Sequence, residues 1–148
     1  MDKIRVLIVG GQSRSGLALR ALFEGRSEFL PTVLVRRQVA ARAGERIVTV
    51  SDYFSVPDEI LRQTDSVVNL AGVTTGKSRQ DFWPPNVEGP LRLAEAAKAA
   101  GVRHFLQLSS LSVYGGAEAI GPGTLESPTS PYGQSKLAAD RGLLALGD

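Results

Sequence analysis

Near the end of the chain a tyrosine and a lysine stand four residues apart, at Tyr132 and Lys136. On an α-helix, residues at this spacing lie on the same face. A phenol has a pKa of about 10 and is a poor base at neutral pH, but a nearby ammonium group favours its phenolate form. Such a pair can therefore serve as general acid and base in the interconversion of an alcohol and a ketone.

A serine upstream of this pair has the chemistry to hold a substrate. Ser110 follows the apolar run His104–Leu108, which is typical of a buried strand. Because catalytic groups gather at the carboxyl ends of the strands in a parallel α/β sheet, the Ser110 hydroxyl is placed to hydrogen-bond a substrate oxygen. Ser110, Tyr132 and Lys136 are the candidate catalytic residues, and each alone is also compatible with a purely structural role.

A glycine-rich turn, Gly10–Gly16, joins the first apolar run to a predicted helix. Such a turn collects backbone N–H groups and the positive end of the helix dipole, which suits a pyrophosphate. The middle glycine of an ideal dinucleotide turn is replaced by Ser13, whose Cβ would crowd the site while its hydroxyl could donate to a phosphate oxygen. The alternative is the tight turn of any α/β domain. The predicted cofactor contacts in this turn are Gly10, Gly11, Ser13, Arg14 and Gly16.

Two arginines at the end of the second predicted strand indicate which dinucleotide is bound. An acidic residue at this place binds the ribose 2′-hydroxyl of NAD, whereas arginine accommodates the 2′-phosphate of NADP. The sequence has Arg36 and Arg37 there and no acid nearby. It therefore favours NADP, with NAD as the other candidate. A solvated basic pair without a ligand is the alternative interpretation.

These residues need a scaffold in which strands and helices alternate. Short Val-, Ile- and Leu-rich runs predict strands buried on both faces, as in a parallel sheet, at Ile4–Val9, Thr32–Val35, Ile47–Val50, Ser66–Leu70 and His104–Leu108. Predicted helices lie at Ser15–Glu24 and Leu91–Ala100, each followed by a glycine suited to a helix cap. The pattern predicts one doubly wound, Rossmann-like α/β domain over residues 1–148, with strand order 3-2-1-4-5.

Composition excludes several other classes of protein. The chain of 148 residues is 43% hydrophobic and 22% charged, with 17 Lys and Arg against 15 Asp and Glu. It lacks the concentrated basic face of a nucleic-acid binder, and it has no cysteine for disulfides or thiolate metal sites. We expect no metal site, since no cluster of ligands stands out. The apolar run Ile4–Val9 is too short to span a membrane, so we expect a cytoplasmic protein with no membrane partner.

Six motifs in this order resemble the extended short-chain dehydrogenases, a family that includes nucleotide-sugar epimerases and dehydratases. The resemblance covers essentially the whole chain. Its motifs are the Gly10–Gly16 turn, Asp52, Asn69-Leu70-Ala71-Gly72, Asn86-Val87-Glu88-Gly89, Ser109-Ser110-x-x-Val113-Tyr114-Gly115 and Tyr132-x-x-x-Lys136.

The resemblance implies roles for several of these residues. Tyr132 would be the catalytic acid and base, Lys136 would tune it and bind the nicotinamide ribose, and Ser110 would hold the reacting oxygen. Asp52 would contact the adenine, and the segment Leu70, Ala71, Gly72 would line the cofactor. The implied substrate is a small molecule, a nucleotide-linked sugar, and a homodimer is the implied candidate assembly.

The chain departs from the family in three places. Ser13 replaces a glycine. Pro84, Pro85 and Pro90 fall where the family has a long helix that often builds the dimer interface, and proline interrupts a helix interior. Family members also continue well beyond the position of Asp148, so we expect the C-terminal substrate region to be absent and the chain alone not to turn over substrate.

Three functions therefore stay open. The first is an NAD(P)-dependent epimerase, dehydratase or keto-reductase that acts on a nucleotide-linked sugar by hydride exchange at the nicotinamide. The second is a non-catalytic NAD(P)-binding module or sensor. Ser13 and the short chain favour it, but the presence of all three candidate catalytic residues, Ser110, Tyr132 and Lys136, argues against it. The third is a structural α/β domain, which the six ordered motifs disfavour.

Overall fold

A computed structural model of the protein describes residues 3–147. Its internal contacts group the chain into two compact units. The first unit holds the residues up to Ala71 together with Leu93–Leu108, and the second holds Gly72–Arg92 together with the residues from Ser109 onward. Among the described residues, no helix is both long and apolar enough to cross a membrane.

The first unit is built on a five-stranded sheet in which every pair of neighbouring strands is parallel. The strands follow the order β3-β2-β1-β4-β5, which confirms the predicted order and the doubly wound, Rossmann-like class. Their bounds are Ile4–Val9 for β1, Phe29–Val35 for β2, Arg46–Thr49 for β3, Ser66–Asn69 for β4 and His104–Gln107 for β5.

The sheet is covered unevenly. In β1 and β2 the segments 6–9 and 33–35 are buried on both faces, and Leu7, Ile8 and Leu34 are fully inaccessible. The expectation that all five strands are buried on both faces is wrong for the two edges. In β3 the residues are half-buried or exposed, and in β5 Leu106 is 52% exposed. An edge strand has one neighbour fewer, so less of its surface is covered.

Of two helices in the first unit, the earlier one was predicted from the sequence and the later one was not. The helix α1, at Arg14–Phe23, begins after Ser13, whose side chain caps its first turn, and the chain leaves it through Gly25 at φ +79°. A left-handed residue after a helix is the usual place for glycine. The short helix α2, at Asp58–Arg62, places Ile60 and Leu61 in the core beside β1 and β4.

Helical segments and connecting loops build the second unit. The helix α3, at Arg79–Trp83, continues through a π-helical turn at Pro84–Glu88 into α4 at Gly89–Ala99. A short 3₁₀ turn lies at Leu111–Tyr114 and the last helix, α5, at Pro131–Gly147.

The three prolines do not interrupt the helix that contains them, so that expectation is wrong. Pro84 and Pro85 open the π-helical turn, and Pro90 lies in the first turn of α4. A π-turn shifts the hydrogen-bonding frame of the helix by one residue, so the helix continues past the N–H groups that the prolines lack. The prolines therefore do not argue against a dimer interface on this helix. The homodimer itself stays a prediction.

At the amino ends of the strands, a carboxylate ties three segments of the first unit together. Asp65 accepts hydrogen bonds from the backbone N–H of Arg5 at 2.8 Å, from the Arg5 guanidinium at 2.9 Å and from Arg103 at 3.1 Å. Hydrogen bonds from Arg5 hold the pKa of Asp65 far below its ordinary value of 3.8. Although it looks like an ordinary surface acid in the sequence, Asp65 joins β1, β4 and β5.

Replacing Asp65 with asparagine should destabilise the protein by about 1–3 kcal/mol at neutral pH, the usual range for hydrogen bonds to a charged group. A carboxyl group whose pKa is lowered by folding stabilises the fold at pH values above its unfolded-state pKa. That stabilisation is lost as the pH falls towards the folded-state pKa. The difference between Asp65→Asn and wild type should therefore shrink as the pH falls below about 4. Urea unfolding at several pH values measures it, and a constant difference across that range would contradict the assignment.

Candidate functional site

The glycine turn after β1 brings two backbone segments of the first unit into close contact. Gly10 adopts φ +85°, and a Cβ atom there would lie 2.7 Å from the backbone nitrogen of Ala71. Only glycine combines this left-handed conformation with so close an approach. The turn after β1 and the segment after β4 therefore meet at the carboxyl edge of the sheet, the edge at which α/β proteins bind ligands.

Ser13 fits the turn despite replacing a glycine. It has φ −69° and ψ 162°, an extended conformation open to any residue, and its Oγ accepts a hydrogen bond from the N–H of Gly16 at 3.0 Å. The hydroxyl thus works as the helix cap and still has its own hydrogen to donate. Ser13 takes up the N–H of Gly16, and the N–H groups of Arg14 and Ser15 point out of the helix end without helical acceptors, so these two fit a pyrophosphate.

The two arginines occupy the predicted position directly after β2, and both are exposed. The Arg36 guanidinium lies over the ring of Tyr53, 5.4 Å from its centroid. Such a cation–π contact orients the guanidinium without neutralising it. A positive charge is therefore presented at the carboxyl edge of the sheet.

Asp52 has a local structural role in the first unit. Its carboxylate accepts from the N–H of Phe54 at 3.0 Å and from the hydroxyl of Ser55 at 2.7 Å. These contacts fix the turn in which Tyr53 lies. A carboxylate oxygen has a second lone pair, so the predicted contact with an adenine stays compatible with this geometry.

Asn69, at the end of β4, was quoted in the motif but given no role, and the structure supplies one. The side chain is fully buried, donates to the Gln107 side chain at 2.8 Å and accepts from the N–H of Ala71 at 3.1 Å. Leu70 is held in turn by its N–H bond to the carbonyl of Val9 at 2.9 Å. The predicted cofactor-lining residues Leu70 and Ala71 are thus fixed at the sheet edge.

The candidate catalytic residues Ser110, Tyr132 and Lys136 all belong to the second unit. Ser110 precedes the 3₁₀ turn, and its Oγ accepts from the N–H of Ser112 at 3.2 Å. As with Ser13, this cap leaves the hydroxyl hydrogen to donate. The neighbouring Ser109 donates to the carboxylate of Asp140 on α5.

Gly133 places Tyr132 close to the serine-bearing segment. A Cβ atom at Gly133 would lie 2.5 Å from the backbone oxygen of Ser112, so only glycine lets α5 approach this turn so closely. The half-buried Tyr132 ring packs edge-on against Phe82, with 5.8 Å between centroids. The beginning of α5 is itself fixed by Ser130, which accepts from the N–H of Gly133 at 3.0 Å.

A buried polar network supports the helix that carries Tyr132. Asn86, in the π-helical turn, is 1% exposed, and it donates to the Ser135 hydroxyl at 3.1 Å and to the carbonyl of Val73 at 2.9 Å. It also accepts from the N–H of Val73 at 2.7 Å, and Ser135 donates onward to the carbonyl of Tyr132 at 2.7 Å. Gly72, whose Cβ would lie 3.1 Å from Asn86 Oδ1, packs on this network.

Lys136 is only 5% exposed, although lysine is among the residues least often buried. Burial lowers the pKa of Lys136, and the negative charge of Asp140, one turn further along α5, partly opposes that change. Asp140 thus favours the ammonium form. Asp140 and Ser135 were missed from the sequence, although a carboxylate four residues after the lysine is a readable signal.

Comparison with known proteins identifies the family. Residues 6–148 match the model of the NAD dependent epimerase/dehydratase family, and the chain belongs to it. The family consists of NAD-dependent enzymes, so the resemblance to extended short-chain dehydrogenases is confirmed.

Individual relatives show how much of such an enzyme the chain spans. It is 42% identical over 65 residues to a UDP-glucose 4-epimerase of Streptomyces lividans, covering 41% of this chain and 19% of that one. It is 28% identical over 138 residues to the uronate dehydrogenase of Pseudomonas putida, covering 89% of this chain and 51% of the relative. The chain thus spans about half or less of the length of these relatives.

Solved structures agree on the fold. The structure of MoeE5 in complex with UDP-glucuronic acid and NAD superposes with a TM-score of 0.84 at 31% identity, covering 95% of this chain and 48% of that one. The UDP-glucuronic acid 4-epimerase of Bacillus cereus in complex with NAD superposes with a TM-score of 0.83 at 22% identity, covering 96% and 52%. The second likeness supports the fold alone.

The surroundings of Lys136 lead to a prediction that needs no substrate. We expect its Nζ to titrate below the ordinary lysine value of 10.5, because burial disfavours the ammonium. Asp140→Asn removes the charge that favours the ammonium, so the pKa of Lys136 should fall further. NMR titration of protein carrying ¹³C-labelled lysine measures both.

The matched control for this titration is Glu126→Gln. It removes one negative charge from the same unit, but from a carboxylate that pairs with Arg141 at 2.9 Å rather than one placed a turn from Lys136. A Lys136 pKa that stays unchanged or rises in Asp140→Asn would show that Asp140 does not act on it.

Proposed function

We propose that this chain carries the cofactor-binding and catalytic residues of an NAD(P)-dependent enzyme that epimerises, dehydrates or reduces a nucleotide-linked sugar. The observation that carries the proposal is the second unit's arrangement of Tyr132 and the buried Lys136 one turn apart on α5. Burying a lysine costs free energy, and packing alone does not require it. Residues whose pKa is perturbed by burial and by a nearby charge, as that of Lys136 is, cluster at functional sites.

Each of the three side chains has a distinct task in this proposal. The phenolate of Tyr132 accepts the proton of a sugar hydroxyl and returns it when the carbonyl is reduced. Lys136 stabilises that phenolate electrostatically and hydrogen-bonds the nicotinamide ribose. Ser110, whose hydroxyl keeps its hydrogen to donate, holds the reacting oxygen. When bound, the cofactor supplies a nicotinamide ring that takes up and returns the hydride.

The first unit would hold the dinucleotide. The amides of the Gly10–Gly16 turn bind the pyrophosphate, and Asp52 with Leu70 contacts the adenosine side of the cofactor. The guanidinium groups of Arg36 and Arg37 bind a ribose 2′-phosphate, so we propose a preference for NADP over NAD. The similar solved structures named above hold NAD, which makes this preference the sharpest point of difference to test.

The proposed substrate class comes from the relatives. The MoeE5 structure holds UDP-glucuronic acid, and the Streptomyces lividans relative is a UDP-glucose 4-epimerase. We therefore propose a UDP-linked hexose or hexuronic acid. A binding module without turnover is the second candidate, and cofactor binding without conversion of any UDP-sugar would select it.

Arg36→Asp should weaken NADP(H) binding more than NAD(H) binding, because it removes a positive charge where the 2′-phosphate would lie and adds a negative one. Calorimetric titration of the wild-type and variant chains with both cofactors measures the two affinities. Arg26→Asp is the matched control, since Arg26 lies before the opposite end of β2 and its side chain is 57% exposed. Equal or tighter binding of NAD(H) by the wild-type chain would refute the preference.

In an enzyme that contains this chain together with the substrate region, Tyr132→Phe should leave cofactor affinity intact and abolish conversion of a UDP-sugar, because it removes the hydroxyl and keeps the ring that packs on Phe82. Loss of one general acid and base costs about 10²–10⁴-fold in rate. Calorimetry gives the affinity, and chromatography of UDP-glucose and UDP-glucuronic acid reactions gives the rate. A variant that turns over near the wild-type rate would end the assignment of Tyr132.

A further inference from the structure

A buried ion pair lies in the first unit, outside the residues assigned so far. Arg20 on α1 and Glu45, just before β3, are joined twice, from Nε and from one terminal nitrogen, each at 2.9 Å. Their side chains are 4% and 1% exposed. Such a forked pair fixes the relative orientation of both groups as well as their distance.

Packing alone does not explain this pair. Two buried charges lose their hydration, and replacing such a pair with apolar side chains of similar size is often neutral or stabilising. Burial works to raise the pKa of Glu45, but hydrogen bonds from Arg20 and from the backbone of Arg42 outweigh it and leave the pKa lowered. Glu45 is therefore a carboxylate at neutral pH, and the pair is ionic.

The remaining hydrogen bonds of the pair go to backbone atoms of two segments. Arg20 donates to the carbonyl of Gly11 at 3.5 Å and to the carbonyl of Ala40 at 3.2 Å. Glu45 accepts from the N–H of Arg42 at 2.8 Å. One forked contact thus connects the glycine turn with the connection between β2 and β3.

These two segments are the ones that the proposed function assigns to the adenosine half of the cofactor. Gly11 belongs to the turn that would bind the pyrophosphate. The connection between β2 and β3 begins with Arg36 and Arg37, and past β2 it has no sheet ladder until β3 starts at Arg46. Its position relative to the turn therefore depends on side-chain contacts such as this pair.

We propose that Arg20 and Glu45 are positioning residues that hold the arginine-bearing connection against the glycine turn, so that one cofactor meets both. The inference rests on the proposed cofactor binding. If the pair is broken, only a fraction of the folded molecules has the binding-competent arrangement. The apparent affinity is then the intrinsic affinity multiplied by that fraction. A purely structural pair would change stability and leave the affinity of the folded protein unchanged.

The test uses the 148-residue chain and the double variant Arg20→Met/Glu45→Met, which replaces both charges with apolar side chains of similar length. Calorimetric titration with 2′,5′-ADP and with NADP(H) gives the affinities, and urea unfolding gives the stability. We expect the double variant to fold as stably as wild type or more so, and to bind both ligands about tenfold more weakly, as for a competent fraction near a tenth.

The matched control is Arg5→Met/Asp65→Met, which removes another forked pair of the first unit, at the amino ends of the strands. It should bind like wild type at temperatures where it is folded. If the Arg20 and Glu45 double variant does not fold, Arg20→Lys, which keeps the charge and loses the fork, replaces it, with the same loss of affinity expected.

Two further outcomes separate the inference from the proposed function. A folded Arg20 variant that binds both ligands within about twofold of wild type, or a control that loses as much affinity, overturns the positioning role while cofactor binding stands. A wild-type chain that binds neither 2′,5′-ADP nor NADP(H) nor NAD(H) overturns the proposed function and this inference together.

Discussion

The parallel pairing of β1 with β2 on one side and β4 on the other determines where the ligand-binding segments of the first unit lie. The central residues Leu7, Ile8 and Val9 are fully buried, so β1 cannot shift its register without exposing the core. Because all strands run the same way, the segments that follow β1, β2 and β4 leave the sheet at one edge. The approach of Gly10 to the Ala71 backbone is a direct consequence of this pairing.

Each unit, taken by itself, places polar side chains inside, each with a partner. Among the described residues, no buried side-chain nitrogen or oxygen lacks a hydrogen bond. An unsatisfied buried polar group is costly, whereas a satisfied one fixes a single arrangement. Asn69 in the first unit accepts from the backbone N–H of Ala71, a predicted site residue. Asn86 in the second unit accepts from the backbone N–H of Val73, which directly follows the predicted site residue Gly72. The two asparagines therefore fix the backbone of these loop segments by hydrogen bonds.

Local patterns in the sequence predicted the elements well because strand and helix periodicity depend on neighbouring residues. The apolar runs located all five strands, and the glycine turn after β1 lies where it was predicted. The roles of Tyr132 and Lys136 stay predictions. The same patterns could not reveal the partnership of Arg20 with Glu45, which are 25 positions apart, or the exposure of β5, which depends on what covers it. The rule that proline breaks helices gave a wrong expectation at Pro84 and Pro85, since it takes no account of a π-helical turn.

The burial of Lys136 supports the catalytic role proposed for the second unit. Its neighbours Leu137 and Ala139 on α5 are buried and apolar, and an apolar residue at position 136 would satisfy packing at no electrostatic cost. The lysine instead carries a charge whose burial lowers its pKa, and Asp140 opposes that effect from one turn away while it accepts a hydrogen bond from Ser109. The carboxylate thus links the tuning of the lysine to the segment that carries Ser110. A purely structural lysine has no need of such a connection, whereas the role proposed for Lys136, beside Tyr132 as acid and base and Ser110 as holder of the substrate oxygen, would use it.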